Sequence, residues 1–175
     1  MRQTVNLDEE RYEALEELAQ RENASKSQII RNAIDHYGTV TSDWRGVDKE
    51  AIDWYVRLLE SKEHRIFDVD HINALFEEMG PPSESLLEEW ERIGRKHGIE
   101  WADQFDSIEK KLRVLEYCNW YTITRIDDGQ YALTADSEHE AALMRAFLVG
   151  ECVEIGFDID TQQVDQKILV TNNSV

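Results

Sequence analysis

Arg2, Thr4 and Asn6 stand at every second position of the run Arg2-Gln3-Thr4-Val5-Asn6-Leu7. In a strand successive side chains alternate faces, so these three project together, with Gln3, Val5 and Leu7 on the opposite side. A cation, a hydroxyl and an amide in a row can hydrogen-bond base edges, and a two-stranded ribbon carrying them fits the major groove of B-DNA. A second group with anion-binding chemistry is Ser25-Lys26-Ser27. It falls where a helix is expected to start, and there the backbone N–H groups and the helix dipole favour a phosphate.

Two helices must position these groups. Asp8 suits the N-cap of the first, with Glu9 and Glu10 in its first turn. Tyr12, Leu15, Leu18 and Ala19 recur at helical spacing. Asn23 sits where a helix often closes in the left-handed conformation. Ser25-Lys26-Ser27-Gln28 matches a capping box, Ser25 as N-cap and Gln28 at N3. Ile29, Ile30, Ala33, Ile34 and Tyr37 form the inner face of the second helix, with Gly38 as its stop. One strand and two short helices cannot enclose a core alone. Two copies solve this, with the strands pairing as an antiparallel ribbon and four helices clamping beneath it.

The stretch resembles the ribbon-helix-helix family of the MetJ, Arc and CopG type. The resemblance rests on Arg2-x-Thr4-Val5-Asn6-Leu7-Asp8, the Leu15/Leu18 face, and Asn23-Ala24-Ser25-Lys26-Ser27-Gln28-Ile29-Ile30. It implies a homodimer that binds double-stranded DNA, with Arg2, Thr4 and Asn6 contacting bases and Ser25, Lys26 and Ser27 holding a phosphate. Gln3 stands at a core-side position usually apolar in that family, and Asn23 replaces the common glycine.

Charge complicates a DNA-binding role. The chain carries a formal net charge of −18, with 37 acidic residues against 7 lysines and 12 arginines. Residues 1–37 hold five basic and eight acidic residues, where a nucleic-acid binder ordinarily shows a basic surface. The acidity is spread along the whole chain, a composition expected of proteins in molar intracellular salt. The Debye length falls to about 3 Å at 1 M salt, so repulsion is screened. The same salt weakens phosphate contacts, leaving base-edge contacts and dimer burial to carry affinity.

Residues 39–46 read as a linker, beginning Thr39-Val40-Thr41-Ser42-Asp43, and residues 47–175 as a second domain. Helices are expected over 47–62, 70–79, from Ser83 to a stop at Gly98, and from Ser107 to Tyr117. A hairpin follows, Trp120–Ile126 and Tyr131–Thr134 around Asp127-Asp128-Gly129-Gln130. Ser137 caps a helix to about Ile155, and Gln166–Thr171 makes a last strand. The fold class is α+β, with a small antiparallel sheet covered by helices. By analogy with other regulators, this domain senses a small-molecule effector, binds a protein partner or joins dimers into a higher oligomer.

Other chemistries find less support. His64, Asp68, Asp70 and His71 lie close together and are metal-ligating types, but Asp70 is explained as a helix cap and no metal or other cofactor is expected. Cys118 or Cys152 with His97 or His139 matches no catalytic signature. No phosphate-cradling glycine loop or zinc-protease helix motif is present, so an enzyme is not expected. Of Trp44, Trp54, Trp90, Trp101 and Trp120, helical spacing assigns Trp54 and Trp90 to core packing rather than a ligand pocket. No apolar run approaches the roughly 20 residues that span a membrane. The expectation is a cytoplasmic transcription regulator, a repressor, with an operon-autoregulating antitoxin as the alternative.

Overall fold

The computed structural model describes residues 4–43, 49–60, 62 and 64–173. Arg2, Gln3, Trp44 and Val47 lie outside these. The chain divides into two compact units, Met1–Asp48 and Lys49–Val175.

The first unit holds α1 (Glu9–Arg21) and α2 (Lys26–Asp43). Asp8 caps α1, its carboxylate accepting from the Arg11 backbone N–H at 2.9 Å. The helix closes in a Schellman motif: Ala24 N–H donates to the Ala19 carbonyl at 3.0 Å and Asn23 N–H to that of Gln20 at 3.2 Å. Asn23 takes φ +49°, as its type allows. The second helix does not stop at Gly38 but continues to Asp43. Nothing lies within 4 Å of where a Gly38 Cβ would stand. A lone glycine weakens a helix by roughly 1 kcal/mol relative to alanine without ending it. The stretch 39–43, expected as linker, is thus helical.

The second unit is α+β. Its helices are α3 (Lys49–Glu60), α4 (Val69–Met79), α5 (Glu84–Trp101), α6 (Ile108–Tyr117) and α7 (Glu138–Ile155). Serines 83, 107 and 137 cap α5, α6 and α7 through their hydroxyls. The strands β1 (Thr122–Asp127), β2 (Gln130–Thr134), β3 (Ile159–Val164) and β4 (Lys167–Asn172) form one antiparallel sheet in the order β1-β2-β4-β3. Strand β3 is not anticipated from sequence. Only its first and last residues are apolar, because it is an edge strand whose outward side faces water. Its two-residue turn uses Asp165, at φ +52°, rather than the Asn-Gly or Asp-Gly that usually marks such a hairpin.

Helix α7 is buried along most of its length because α5 packs on it from one side and β3 and β4 from another. Leu148 and Cys152 of α7 are fully buried, as are Leu112, Leu133 and Ile168 of the neighbouring elements. Three glycines set the α5–α7 contact. A Cβ on Gly94 would fall 2.1 Å from the Phe147 carbonyl oxygen, one on Gly98 2.5 Å from that of Glu151, and one on Gly150 2.1 Å from that of Glu91. Gly98, expected as a helix stop, is instead a point where two backbones touch, and α5 runs on to Trp101.

Beneath this contact Lys111 and Glu151 are both wholly buried and meet at 2.7 Å. The ammonium also lies 5.6 Å from the ring centres of Trp101 and Phe105. Burial raises the Glu151 carboxyl above its ordinary range, against the opposing pull of Lys111. Neither group has a well-directed hydrogen bond, so the pair is held by charge proximity.

Candidate nucleic-acid interface

The candidate site is built from the segment before α1 and the start of α2. Residues Thr4–Asp8 are non-helical, and Thr4 and Asn6 are exposed. Arg2, the third expected base-reading residue, lies outside the described residues. On the other side of the same segment Val5 is 62 % exposed, and Leu7 is partly exposed. On the helices Tyr12 is exposed, Ile34 is 64 % exposed and Tyr37 70 %. Only Leu15 and Ile29 are buried among the described apolar side chains of this unit. One copy therefore leaves uncovered the side of the segment that the alternation assigns to a core.

The start of α2 has the geometry of an anion site. Ser25 Oγ accepts from the Gln28 N–H at 3.2 Å, and the Ser25 carbonyl accepts from Gln28 and Ile29 at 2.8 and 3.0 Å. The N–H groups of Lys26 and Ser27 occupy the first turn, where a helix offers no internal acceptor. Ser25 and Ser27 are exposed. The other half of the expected capping box is replaced: the Gln28 amide donates to Asn32 Oδ1 at 2.8 Å and accepts from Arg31 at 2.9 Å.

Lys26 is placed differently from the rest of its group. Its ammonium donates to Glu16 Oε1 at 2.6 Å and to the Tyr12 hydroxyl at 2.7 Å, and lies 4.0 Å from the Tyr12 ring centre. These bonds, Glu16 first, raise its pKa above the ordinary lysine value. In a free chain Lys26 thus ties α2 back to α1, and engaging a phosphate requires exchanging Glu16 for it. Sequence reading missed the Tyr12–Glu16–Lys26 cluster. Its signal was the i, i+4 spacing of Tyr12 and Glu16, which puts both on one face of α1.

The other weighed residues fall elsewhere. Asp68, not Asp70, caps α4, its carboxylate accepting from the Asp70 N–H at 3.0 Å. His64 Nδ1 lies 3.1 Å from the Leu58 carbonyl. Among the described residues no three His, Cys, Asp or Glu side chains gather as a metal site would require. Burial pushes the Cys118 thiol up to about 11 and that of Cys152 to about 12, far from the thiolate a nucleophile needs. No helix among the described residues is long and apolar enough to cross a membrane.

Comparison with known proteins bears on one of the two units. No curated protein and no solved structure matches the chain. Its first segment, residues 1–38, carries the match to the family described as ribbon-helix-helix protein, copG family, a family of DNA-binding transcription regulators.

Proposed function

We propose that the protein is a sequence-specific transcription repressor that reads the major groove as a homodimer. The observation that carries this is the exposure of Val5, Leu7, Ile34 and Tyr37, apolar side chains that one copy of residues 4–37 leaves uncovered. A second copy placed by a two-fold axis covers Val5 and Leu7, pairs the two segments as a ribbon, and turns Arg2, Thr4 and Asn6 outward together. The α2 N-terminus, with Ser25, Lys26 and Ser27, then holds a backbone phosphate and fixes the register of the ribbon on the duplex.

The acidic surface sets the conditions. With a net charge of −18, binding at low salt is opposed by repulsion, so we place the protein in a cytoplasm of molar salt. A stand-alone regulator is favoured over an antitoxin by the core of residues 49–175, since segments that neutralise a partner by folding onto it lack such a core. That domain serves assembly or effector sensing.

The test is DNA binding in molar potassium chloride, using operators mapped genome-wide in the native cell. Replacing Arg2, Thr4 and Asn6 together by alanine removes base contacts worth about 1–3 kcal/mol for each good bidentate pair, doubled by symmetry. Operator affinity is expected to fall to the level of non-specific DNA with the dimer intact. Unchanged affinity rejects the reading.

A further inference from the structure

We infer that the second unit has a binding site for an uncharged, planar aromatic molecule of about two fused rings, in a cavity between α3, α5, α6 and α7. The cavity measures about 220 Å³. Its walls include Trp90, Trp101, Trp120, Phe147, His64 and His97. The space is a cleft partly open to solvent, so its aromatic lining meets water unless a guest covers it. An engineered apolar cavity of about 150 Å³ stays dry and takes up benzene. The larger space here suits a second fused ring.

The fold holds these walls apart. Gly94, Gly98 and Gly150 bring the α5 and α7 backbones into contact, which fixes where the α5 stripe Trp90, Ile93, His97 and Trp101 stands relative to Phe147. His64 and Trp101 stack at 6.4 Å and 22°, while the other ring pairs of the lining meet edge to face. Trp90 and Trp120 lie 6.0 Å apart at 86°, His97 and Phe147 5.4 Å apart at 73°, and His64 and His97 5.3 Å apart at 84°. Aromatic pairs prefer offset or edge-to-face contacts, and a flat guest continues that arrangement.

Charge restricts the guest. None of the described residues that line the cavity is Asp, Glu, Lys or Arg, so among them an ionised ligand finds no carboxylate, ammonium or guanidinium partner to offset its desolvation. A cation is further disfavoured at Trp101, whose ring already has the Lys111 ammonium 5.6 Å from its centre. This inference rests on the second unit alone and stands or falls independently of DNA reading.

The test is calorimetric titration of the full-length protein, in molar potassium chloride, with indole, benzene and tetramethylammonium. Indole is expected to bind, and to bind more tightly than benzene. V114F, which fills the cavity from α6, should weaken indole by about tenfold or more. Cys118 lines the cavity, whereas Cys152 is fully buried. Saturating indole should therefore slow alkylation of Cys118 in the unmodified protein, and this readout decides the matter if V114F fails to fold. The inference is overturned by no indole binding up to its solubility, by tetramethylammonium binding in its place, by unchanged affinity in a folded V114F, or by alkylation that indole leaves untouched.

Discussion

The two units solve the problem of burial in opposite ways. Residues 49–175 enclose their own core: Leu112, Leu133, Leu148, Cys152 and Ile168 lose all contact with water within one chain. Residues 4–38 bury only Leu15 and Ile29 among their apolar side chains and leave Val5, Tyr12, Ile34 and Tyr37 exposed. Both segments are strongly acidic and both are capped by well-placed serine or aspartate side chains. The difference lies in chain length. A short non-helical segment and two helices cannot surround an interior, while the five helices and four strands described in the second unit can. Under the proposed dimer, a unit of the first kind would acquire its stability by association, with folding and assembly as one event.

The sharpest way to break this comparison is inside the second unit. Lys111→Met leaves Glu151 as a buried charge without its partner, and loss of one member of such a pair costs about 3–5 kcal/mol. Urea unfolding should show this loss in the second unit, and Lys111→Met combined with Glu151→Leu should recover most of it. A single variant as stable as the parent would mean that the pair is solvated.

A smaller effect is expected at the helix contact. Gly150→Ala puts a Cβ 2.1 Å from the Glu91 carbonyl oxygen, and backbone on both sides cannot yield as a side chain would. Overpacking of this kind costs about 1–3 kcal/mol. Thermal unfolding should register it, with dimerisation through the first unit unchanged. An unaltered midpoint would contradict the close approach of α5 and α7.

The smallest effect has the opposite sign. Because Gly38 is helical with open space beside it, Gly38→Ala should stabilise the first unit by roughly 0.5–1 kcal/mol. Circular dichroism during thermal unfolding measures it. Destabilisation would instead place Gly38 at a left-handed helix end.

These outcomes also mark what was legible in the sequence. Four helix starts were, because a cap is a local device: Asp8, Ser83, Ser107 and Ser137 each bond an N–H three residues on, whereas α4 is capped by Asp68 and not by the expected Asp70. Helix ends were less so. Gly38 and Gly98 read alike as stops, yet one lies within a helix that continues and the other meets a distant backbone. That distinction is tertiary and invisible to spacing. The same holds for β3, which is polar because it lies at an edge. At the candidate site, alternation expected Thr4 and Asn6 to be outward, and both are exposed, as are Val5 and Leu7; contact with bases belongs to the proposal. The bond from Lys26 to Glu16 spans ten residues and two helices and could not be read from either helix separately. Likewise, spacing identified Trp54 correctly as core, but could not show that Trp90 borders a cavity.

The central claim, that a second copy completes the first unit, is tested most directly by sedimentation equilibrium of the full chain in molar potassium chloride. The expected result is a species of twice the 20.5 kDa chain mass, persisting to low micromolar concentration. A 20.5 kDa monomer at tens of micromolar would contradict it, because Val5, Ile34 and Tyr37 would then face water in the working protein.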